Sequence, residues 1–297
     1  FEMTDAIDDT ISSIQSSERN LIKTGYHLLD DMSGGLTRKE VSIVAGRPGH
    51  GKTTFVLNMI RNMIHSGQKV MVLNREMSNV EMLKKLIVLE SKNLSYKMVR
   101  QGIFADPTRE MKEIEDTRKK IIATYSSDKF QMFDNIEDFN GGVMEAKRFK
   151  PDVIFDDYIQ LIRGFGELEQ RRMQIEKIVN GYKWLAKQLN CVVVCVSQLN
   201  RSLEHRGGSN NPAIPQLSDL AESGSIEQVA ENVFFVFYEH KINPKKYPKH
   251  EVKLVGGKVR YGTGGIVKLG YEGDKVKLYQ STDEWYKENR KDEDDEN

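Results

Sequence analysis

The sequence predicts an α/β fold: a mainly parallel, twisted sheet with helices on both faces, followed by an antiparallel extension at its C-terminal end. Two observations predict this fold. Between about residues 40 and 240, short apolar runs of strand length alternate with segments of helical periodicity, which is typical of a parallel sheet covered on both faces. After residue 250 the strands become short and are separated by glycine turns, which favours antiparallel pairing.

The composition is that of a globular protein with a sizeable core. The 297 residues are 38% hydrophobic and 30% charged, and the formal net charge is zero. No apolar run could span a bilayer and no signal-peptide pattern opens the chain, so we expect no membrane association. Cys191 and Cys195 lie in the run "CVVVCV" and are expected to be buried and reduced, as in a cytoplasmic protein. The first residue is Phe1, which suggests a piece of a longer protein.

The two ends of the chain differ from its centre. Residues 3–16 carry an apolar stripe at helical spacing, and such a stripe needs a partner surface; it consists of Met3, Ile7, Ile11 and Ile14. Residues 283–297 hold eight acidic and three basic residues, and we expect a disordered, solvated tail. The rest of the chain then has 41 basic and 36 acidic residues, an excess that permits nucleic-acid binding without predicting it.

The predicted elements follow one another in regular order. Parallel strands are expected at residues 40–45, 69–75, 129–133, 152–156, 191–196 and 232–238, and antiparallel strands at 251–255, 265–271 and 275–280. Helices are expected at residues 52–65, 79–91, 107–125, 141–148 and 170–189, and a long polar loop at 200–217.

A glycine-rich segment joins the first predicted strand to the first long helix. It reads "GRPGHGKT" and matches the phosphate-binding pattern G-x-x-x-x-G-K-[ST]. In this context backbone N–H groups and the helix N-terminus hold nucleotide phosphates, Lys52 reaches the β- and γ-phosphates, and the Thr53 hydroxyl is a Mg²⁺ ligand. His50 is expected to shape the loop rather than to transfer protons. The predicted nucleotide-binding residues are Gly46, Arg47, Pro48, Gly49, His50, Gly51, Lys52, Thr53 and Thr54.

Polar side chains stand at the carboxyl ends of three further predicted strands, and parallel strands bring these ends to one rim of the sheet. Asp156 and Asp157 end the strand "DVIFDD"; one of them would hold Mg²⁺ through water, and alternation does not choose between them. Glu76 could activate the attacking water or serve as an acid at a helix N-terminus. Gln198 could sense the γ-phosphate or cap a turn.

The order of these motifs resembles the C-terminal motor domain of the DnaB-type replicative helicases, the RecA-like hexameric ring helicases of bacteria and phages. The likeness covers about residues 20–281 and rests on "TGYHLLDDMSGGL", "AGRPGHGKTTFVLNM", "EMS", "DDYIQLI", "VSQLNR", "LSDLAESGSIEQVAENV" and "GKVRYGTGG". It implies a RecA-like P-loop NTPase domain at residues 21–282. Residues 1–20 then resemble a linker helix that packs on a neighbouring subunit.

The resemblance implies roles for individual residues. Asp157 takes the place of the Walker B aspartate that holds Mg²⁺, Glu76 that of the glutamate that activates water, and Gln198 that of the γ-phosphate sensor. The family usually has an arginine at the position of Ala221, which puts one phosphate contact in doubt. A second departure is Arg75, where a smaller or neutral residue is usual. The residues implied in binding single-stranded DNA are Arg201, Arg206, Glu222, Ser223 and Gly224.

Lys258 and Arg260 in "GGKVRYG" form a separate pair of cations beyond the last core strand, with little reason to reach their own P-loop. In isolation they would be surface charges of a solvated hairpin. In a ring, each nucleotide lies between neighbouring subunits, and the pair could act on the next subunit's γ-phosphate. Arg260 would then be an arginine finger supplied in trans.

The family therefore implies a homo-hexameric ring that uses ATP or another NTP with Mg²⁺ to move 5′ to 3′ along single-stranded DNA and to unwind the duplex. The expected partners include a primase, a helicase loader and replisome proteins, in the cytoplasm of a bacterium or a phage-infected cell. Two other classes stay open. One is a RecA-like recombinase or clock-type ATPase, which forms filaments or double rings, and the other is a non-catalytic module resembling a helicase loader.

Overall fold

The structure is a computed structural model that describes residues 2–163, 171–200, 203, 206–208, 211–221 and 223–294, with the backbone alone for residues 18, 19, 223 and 290–294. Its helices are α1 (Met3–Gln15), α2 (His27–Ser33), α3 (Lys52–His65), α4 (Asn79–Glu90), α5 (Tyr96–Gln101), α6 (Pro107–Thr124), α7 (Phe139–Phe149), α8 (Arg171–Leu189), α9 (Ser223–Val229), α10 (Glu239–Ile242) and α11 (Thr282–Asp294). Its strands are β1 (Leu21–Ile22), β2 (Leu36–Thr37), β3 (Val41–Gly46), β4 (Val70–Asn74), β5 (Phe130–Phe133), β6 (Val153–Asp157), β7 (Val192–Gln198), β8 (Gly207–Gly208), β9 (Asn211–Pro212), β10 (Asn232–Phe237), β11 (Glu251–Val259), β12 (Gly265–Glu272) and β13 (Lys277–Tyr279).

Nine strands form one mixed sheet in the order β13-β12-β11-β10-β3-β7-β6-β4-β5. The six strands from β10 to β5 are parallel, and β11, β12 and β13 extend the sheet in antiparallel fashion. Strand β3 lies between β10 and β7, so the segment that follows it leaves from the middle of the sheet. The predicted fold class is confirmed.

The core has two layers because the central strands are buried on both faces. Val44 of β3 packs in one layer with the helix that follows it, represented by Phe55 and Met59 of α3. Ile43 points to the opposite layer, where it packs with Tyr182 of α8. This explains why the central strands read as continuous apolar runs rather than as alternating ones.

The helix starts are encoded locally. Ser78 accepts a hydrogen bond from the backbone N–H of Glu81 at the start of α4, and Asp106 does the same for α6, where Pro107 occupies the first helical position. Asp138 caps α7 through the N–H of Gly141. These caps place the helix starts close to the predicted positions.

The predicted strands and long helices are present with shifts of one or two residues in most cases. The predicted disorder of the tail is wrong for the part that the structure describes, because α11 begins at Thr282 and packs on the antiparallel extension. The Trp285 ring stacks on His250 with centroids 3.7 Å apart, and its indole N–H donates to a Glu272 carboxylate oxygen at 3.1 Å. These contacts offset the low hydrophobicity of the helix.

The apolar stripe of α1 lies on the surface of the described chain. Its four predicted side chains, Met3, Ile7, Ile11 and Ile14, are 48–66% exposed, and the helix buries none of its residues. Cys191 and Cys195 are buried free thiols, as expected. Among the helices that the structure describes, none is both long enough and apolar enough to cross a membrane.

Candidate functional site

The glycine-rich loop leaves β3 at Gly46 and enters α3 at Lys52. Gly49 and Gly51 have φ angles of 72° and 96°, a region that favours glycine because a side chain would clash with the backbone. A Cβ atom at Gly46 would lie 2.9 Å from the carbonyl oxygen of Val236, so this position also excludes a side chain. The Lys52 ammonium folds back over the loop and donates to the Gly46 carbonyl at 2.7 Å. The predicted motif is thus a true strand–loop–helix phosphate loop.

His50 supports this loop from the side of the sheet. It is 3% exposed, its Nδ1 accepts the backbone N–H of Tyr238 at 3.1 Å, and its ring stacks on Phe237. Burial, followed by the positive charges of Arg47 and two lysines, lowers the pKa of His50 to about 3. A neutral ring that accepts a backbone hydrogen bond shapes the loop, as the sequence suggested. Arg47 itself is half-buried.

A cavity of about 390 Å³ opens beside the loop, within the size range of small-molecule sites. The walls combine the loop with the carboxyl ends of β4 and β7, so Lys52, Thr53, Glu76 and Gln198 are brought together. Pro48, Gly49, Gly51 and Thr54 also line it. The side chains predicted to share one rim of the sheet at Glu76 and Gln198 therefore line one cavity with the loop.

Asp157 lies at the end of β6 and interacts electrostatically with Lys52. Burial, followed by repulsion from Glu76, raises the pKa of Asp157 to about 6, and Lys52 opposes this rise. Burial lowers the pKa of Lys52 against the attraction of the same two carboxylates. The two acids and one ammonium therefore share a small desolvated volume, a setting typical of functional sites. The Asp157–Tyr158 peptide is cis.

Asp156 faces the other side of the sheet, where both of its carboxylate oxygens accept hydrogen bonds. Arg75 donates to its two carboxylate oxygens at 2.7 and 2.9 Å, and the Tyr182 hydroxyl donates to the same group. Both side chains of the pair are buried, with 2% exposure for Arg75 and none for Asp156. The structure thus leaves Asp157, and not Asp156, to interact with Lys52 and Glu76, and it explains Arg75 as the partner of Asp156.

Oxygen donors suited to Mg²⁺ lie in the cavity wall and beside it. The Thr53 hydroxyl and the Asp157 carboxylate are hard ligands, and Mg²⁺ at nucleotide sites needs only one or two protein ligands beside phosphate and water. Among the described residues no cluster of three or more acidic, histidine or cysteine side chains could hold a metal by itself. The residues fit an ion that is shared with a nucleotide.

Gln198 connects the cavity to the following loop. Its backbone N–H donates to the Gln160 side chain at 3.2 Å, and its carbonyl accepts the N–H of Ala221 at 3.2 Å. Leu199 and Leu220 form a β-bridge in the next position. Backbone hydrogen bonds therefore connect Gln198 directly to the segment that the resemblance implies in DNA binding.

The structure places the predicted DNA-contacting residues unequally. Arg201 and Glu222 lie outside the described residues, and only the backbone of Ser223 is described. Arg206 binds within its own subunit, at 2.5 Å from an Asp219 carboxylate oxygen and 2.9 Å from the Ile214 carbonyl. Gly224 lies in the first turn of α9, where a Cβ atom would lie 2.7 Å from a guanidinium nitrogen of Arg172, a residue that the sequence analysis did not select.

Lys258 and Arg260 lie far from the cavity of their own subunit. At the end of β11, Val259 pairs with Asn232 of β10, and Asn232 pairs with Ser42 of β3. Gly46 lies four residues further along β3, or about 13 Å at the usual strand rise, at the carboxyl end of the parallel strands. The geometry agrees with the expectation that these cations do not serve their own P-loop.

Four residues of the cavity wall were not predicted from the sequence: Met77, Lys85, Tyr271 and Gly273. The Tyr271 ring belongs to β12, would lie 3.3 Å from a Cβ atom at Gly51, and its hydroxyl hydrogen-bonds to Thr54. Lys85 stands two turns into α4, and its ammonium lies 4.9 Å from the centre of the Tyr96 ring. Tyr271 and Lys85 belong to no recognised sequence motif, and only the fold brings them to the loop.

Comparisons with known proteins identify the family. The family model described as "DnaB-like helicase C terminal domain" matches residues 22–280. The chain is 32% identical over 263 residues to the replicative DNA helicase DnaB of Haemophilus influenzae, covering 85% of this chain and 53% of that protein. It is 29% identical over 274 residues to the replicative DNA helicase DnaC of Bacillus subtilis, covering 89% and 58%. The chain thus spans about half the length of the curated relatives it matches.

Solved structures give the same answer. One solved ATPase domain superposes with a TM-score of 0.82 at 26% identity, covering 94% of this chain and 98% of that one. A DnaB-like replicative helicase, solved in a study of its interactions with primase, superposes with a TM-score of 0.79 at 26% identity, covering 94% and 67%. The fold is therefore RecA-like, and the chain belongs to the DnaB-like helicase C-terminal domain family.

Proposed function

We propose that the chain is the NTP-driven motor of a replicative DNA helicase, which forms a hexameric ring and moves 5′ to 3′ along single-stranded DNA. The observation that carries the proposal is the division of charges in the subunit. Lys52 and Glu76 line one cavity and Asp157 interacts electrostatically with both, while Lys258 and Arg260 lie at the opposite, amino-terminal end of the parallel strands. This arrangement suits a site that is completed by a neighbouring copy.

In the proposed reaction, the backbone of the loop and Lys52 bind the phosphates of ATP or another NTP. Thr53 and Asp157 would hold Mg²⁺, which supplies positive charge to the phosphates. Glu76 accepts a proton from the attacking water, and its position in the cavity wall supports this role. Tyr271 adds an aromatic surface beside the loop for the rest of the nucleotide.

The neighbouring subunit is proposed to supply the missing cations. Arg260 is 55% exposed and extends from the end of β11, so its guanidinium is available to a second copy of the chain. An arginine finger stabilises the negative charge of the transition state and is worth roughly 10³–10⁵ in rate. The exposed stripe of α1 supports the same assembly, because packing of residues 1–20 on the adjacent subunit would cover it.

Single-stranded DNA is proposed to bind along the segment from Arg201 to Gly224. The hydrogen bond from Ala221 to the carbonyl of Gln198 supports a direct link between this segment and the nucleotide. Arg172, which lies beside Gly224, is a suitable replacement for the arginine expected at Ala221. By analogy with the relatives, we further propose a primase, a helicase loader and other replisome proteins as partners, in the cytoplasm.

The test is turnover with and without single-stranded DNA, combined with electron microscopy of the assembled protein. The proposal expects DNA to stimulate NTP hydrolysis and closed six-membered rings to form with nucleotide. Filaments would favour a recombinase, and an assembled protein without DNA-stimulated turnover would favour a loader-like module. A Lys52→Ala variant is the matched control, because it removes phosphate binding and leaves the DNA segment intact.

A further inference from the structure

The buried carboxylate of Glu231 joins three elements at the amino-terminal end of the parallel strands. Glu231 is 3% exposed and lies between the end of α9 and the start of β10. One of its oxygens accepts the backbone N–H of Val41 at 2.8 Å. The other forms an ion pair with the ammonium of Lys183 on α8 and lies 3.5 Å from a guanidinium nitrogen of Arg260. Glu231 therefore links β3 and α8 to the exposed arginine.

The Arg260 backbone is fixed, and its side chain is paired with Glu231 but remains partly exposed. Its backbone N–H donates to the Glu231 carbonyl at 3.2 Å, and its guanidinium lies 5.3 Å from the centre of the Tyr261 ring. The residue nevertheless keeps 55% of its side chain exposed. A long side chain with this exposure would sample many rotamers, unless a fixed partner restricts them.

Lys258 is tied to the same region. Its ammonium donates to the backbone carbonyl of Glu227 at 2.6 Å, and Glu227 lies in α9. Lys258 is thus bound to α9, and Arg260 to Glu231, which lies two residues beyond the end of that helix. Helix α9 begins at Ser223, within the segment for which DNA contact is proposed.

We propose that Glu231 is a positioning residue: it holds Arg260 in the orientation needed by the neighbouring subunit's nucleotide. This inference rests on the proposed action of Arg260 in trans. The carboxylate suits the task because Val41 and Lys183 fix it before the arginine is bound.

Glu231 could instead serve folding alone, by neutralising Lys183 and accepting the N–H of Val41. The two roles differ in which subunit loses activity when Glu231 is changed. A folding defect stays in the subunit that carries the change. A positioning defect appears in the neighbour's nucleotide site, while the subunit's own P-loop binds and hydrolyses normally whenever it receives a finger from an intact copy.

The decisive variant is Glu231→Gln in the full chain, because glutamine keeps an oxygen for the Val41 N–H and loses the charge that holds Arg260. We expect hexamer mass and nucleotide affinity to stay near wild type, while kcat with DNA falls about 10- to 100-fold and KM changes less than about twofold. Glu40→Gln is the matched control. Glu40 is also buried and acts electrostatically on Lys183 and Arg260, without an ion pair to the arginine. We expect it to keep its turnover.

Mixed rings then locate the defect. Glu231→Gln subunits are combined with Lys52→Ala subunits, which cannot bind phosphate and still carry an intact finger; Arg260→Ala with Lys52→Ala is the reference mixture. The inference expects turnover to rise in both mixtures above that of the separate variants. If only the reference mixture recovers, Glu231 does not position the finger, although the finger acts in trans. If neither recovers, the trans role of Arg260 fails and the inference fails with it.

A variant that does not assemble would not end the test. Glu231→Asp keeps the charge and shortens the side chain by one methylene, so it preserves an ion pair with Lys183 better than the reach to Arg260. We expect it to assemble and to show the same loss of kcat, with recovery by Lys52→Ala subunits. An assembled Glu231→Asp protein with wild-type turnover would overturn the inference.

Discussion

The ion pair between Arg75 and Asp156 gives a prediction whose size follows from burial. Both side chains are almost inaccessible, and the guanidinium binds the two carboxylate oxygens at 2.7 and 2.9 Å. Removing one partner leaves a buried charge without its counter-ion, which costs about 3–5 kcal/mol. For a chain of this size, about 2 °C of melting temperature is lost per kcal/mol. Arg75→Met and Asp156→Val should therefore each lower the melting temperature by about 6–10 °C.

The double variant Arg75→Met/Asp156→Val should be much more stable than the sum of the single changes, because apolar replacement of a buried pair is often close to neutral. Equilibrium unfolding in urea of all four proteins gives the coupling free energy, which should reach several kcal/mol. Arg118 and Glu115 on α6 provide a control pair, since they are 59% and 51% exposed and should couple by less than about 1 kcal/mol.

The result that refutes this reasoning is additivity. If the single variants each cost less than about 1 kcal/mol and their effects simply add, the guanidinium does not hold Asp156 in a desolvated pair. Asp156 would then be free to turn towards the nucleotide cavity. The choice of Asp157 over Asp156 as the proposed Mg²⁺ ligand would lose its structural basis.

Three further predictions concern the cavity itself. Glu76→Ala should lower kcat by about 10²–10⁴ and leave nucleotide affinity unchanged in equilibrium binding, and an equal loss of affinity would remove the proposed role as base. The folded pKa of Asp157, about 6, exceeds its unfolded value of about 3.9, so the folded state binds the extra proton and the nucleotide-free protein loses stability as pH rises from about 4 to 6. Asp157→Asn should therefore gain stability over wild type at pH 7 and not at pH 4, as measured by urea unfolding without Mg²⁺; an equal difference at both pH values would contradict the shift. Tyr271→Ala should raise KM for the NTP about 3- to 10-fold with a smaller change in kcat, and an unchanged KM in steady-state assays would exclude contact with the nucleotide.

The sequence was sufficient for the features that depend on local chemistry. Buried parallel strands produce continuous apolar runs, and the capping residues Ser78, Asp106 and Asp138 mark helix starts. The phosphate loop follows from the glycines that its backbone angles require, at Gly49 and Gly51. Because parallel strands share a rim, the meeting of Glu76 and Gln198 beside the loop could also be predicted.

The remaining features depend on contacts between distant parts of the chain. The choice between Asp156 and Asp157 follows from Arg75 on another strand, and strand alternation alone contains no information about that partner. Helix α11 was missed because its charged sequence lacks an apolar stripe, and its stability comes from Trp285 stacking on His250 of the antiparallel extension. Tyr271 reaches the P-loop only because that extension folds beside it.

The central claim is that the nucleotide site of one subunit is completed by Arg260 of the next, and a complementation assay tests it most directly. Lys52→Ala lacks the phosphate cradle and Arg260→Ala lacks the finger, so each variant alone should be nearly inactive in DNA-stimulated hydrolysis. In randomly mixed rings at equal amounts, about one interface in four combines an intact cradle with an intact finger. We predict that the mixture recovers about a quarter of wild-type turnover, whereas no recovery at any ratio would contradict the account.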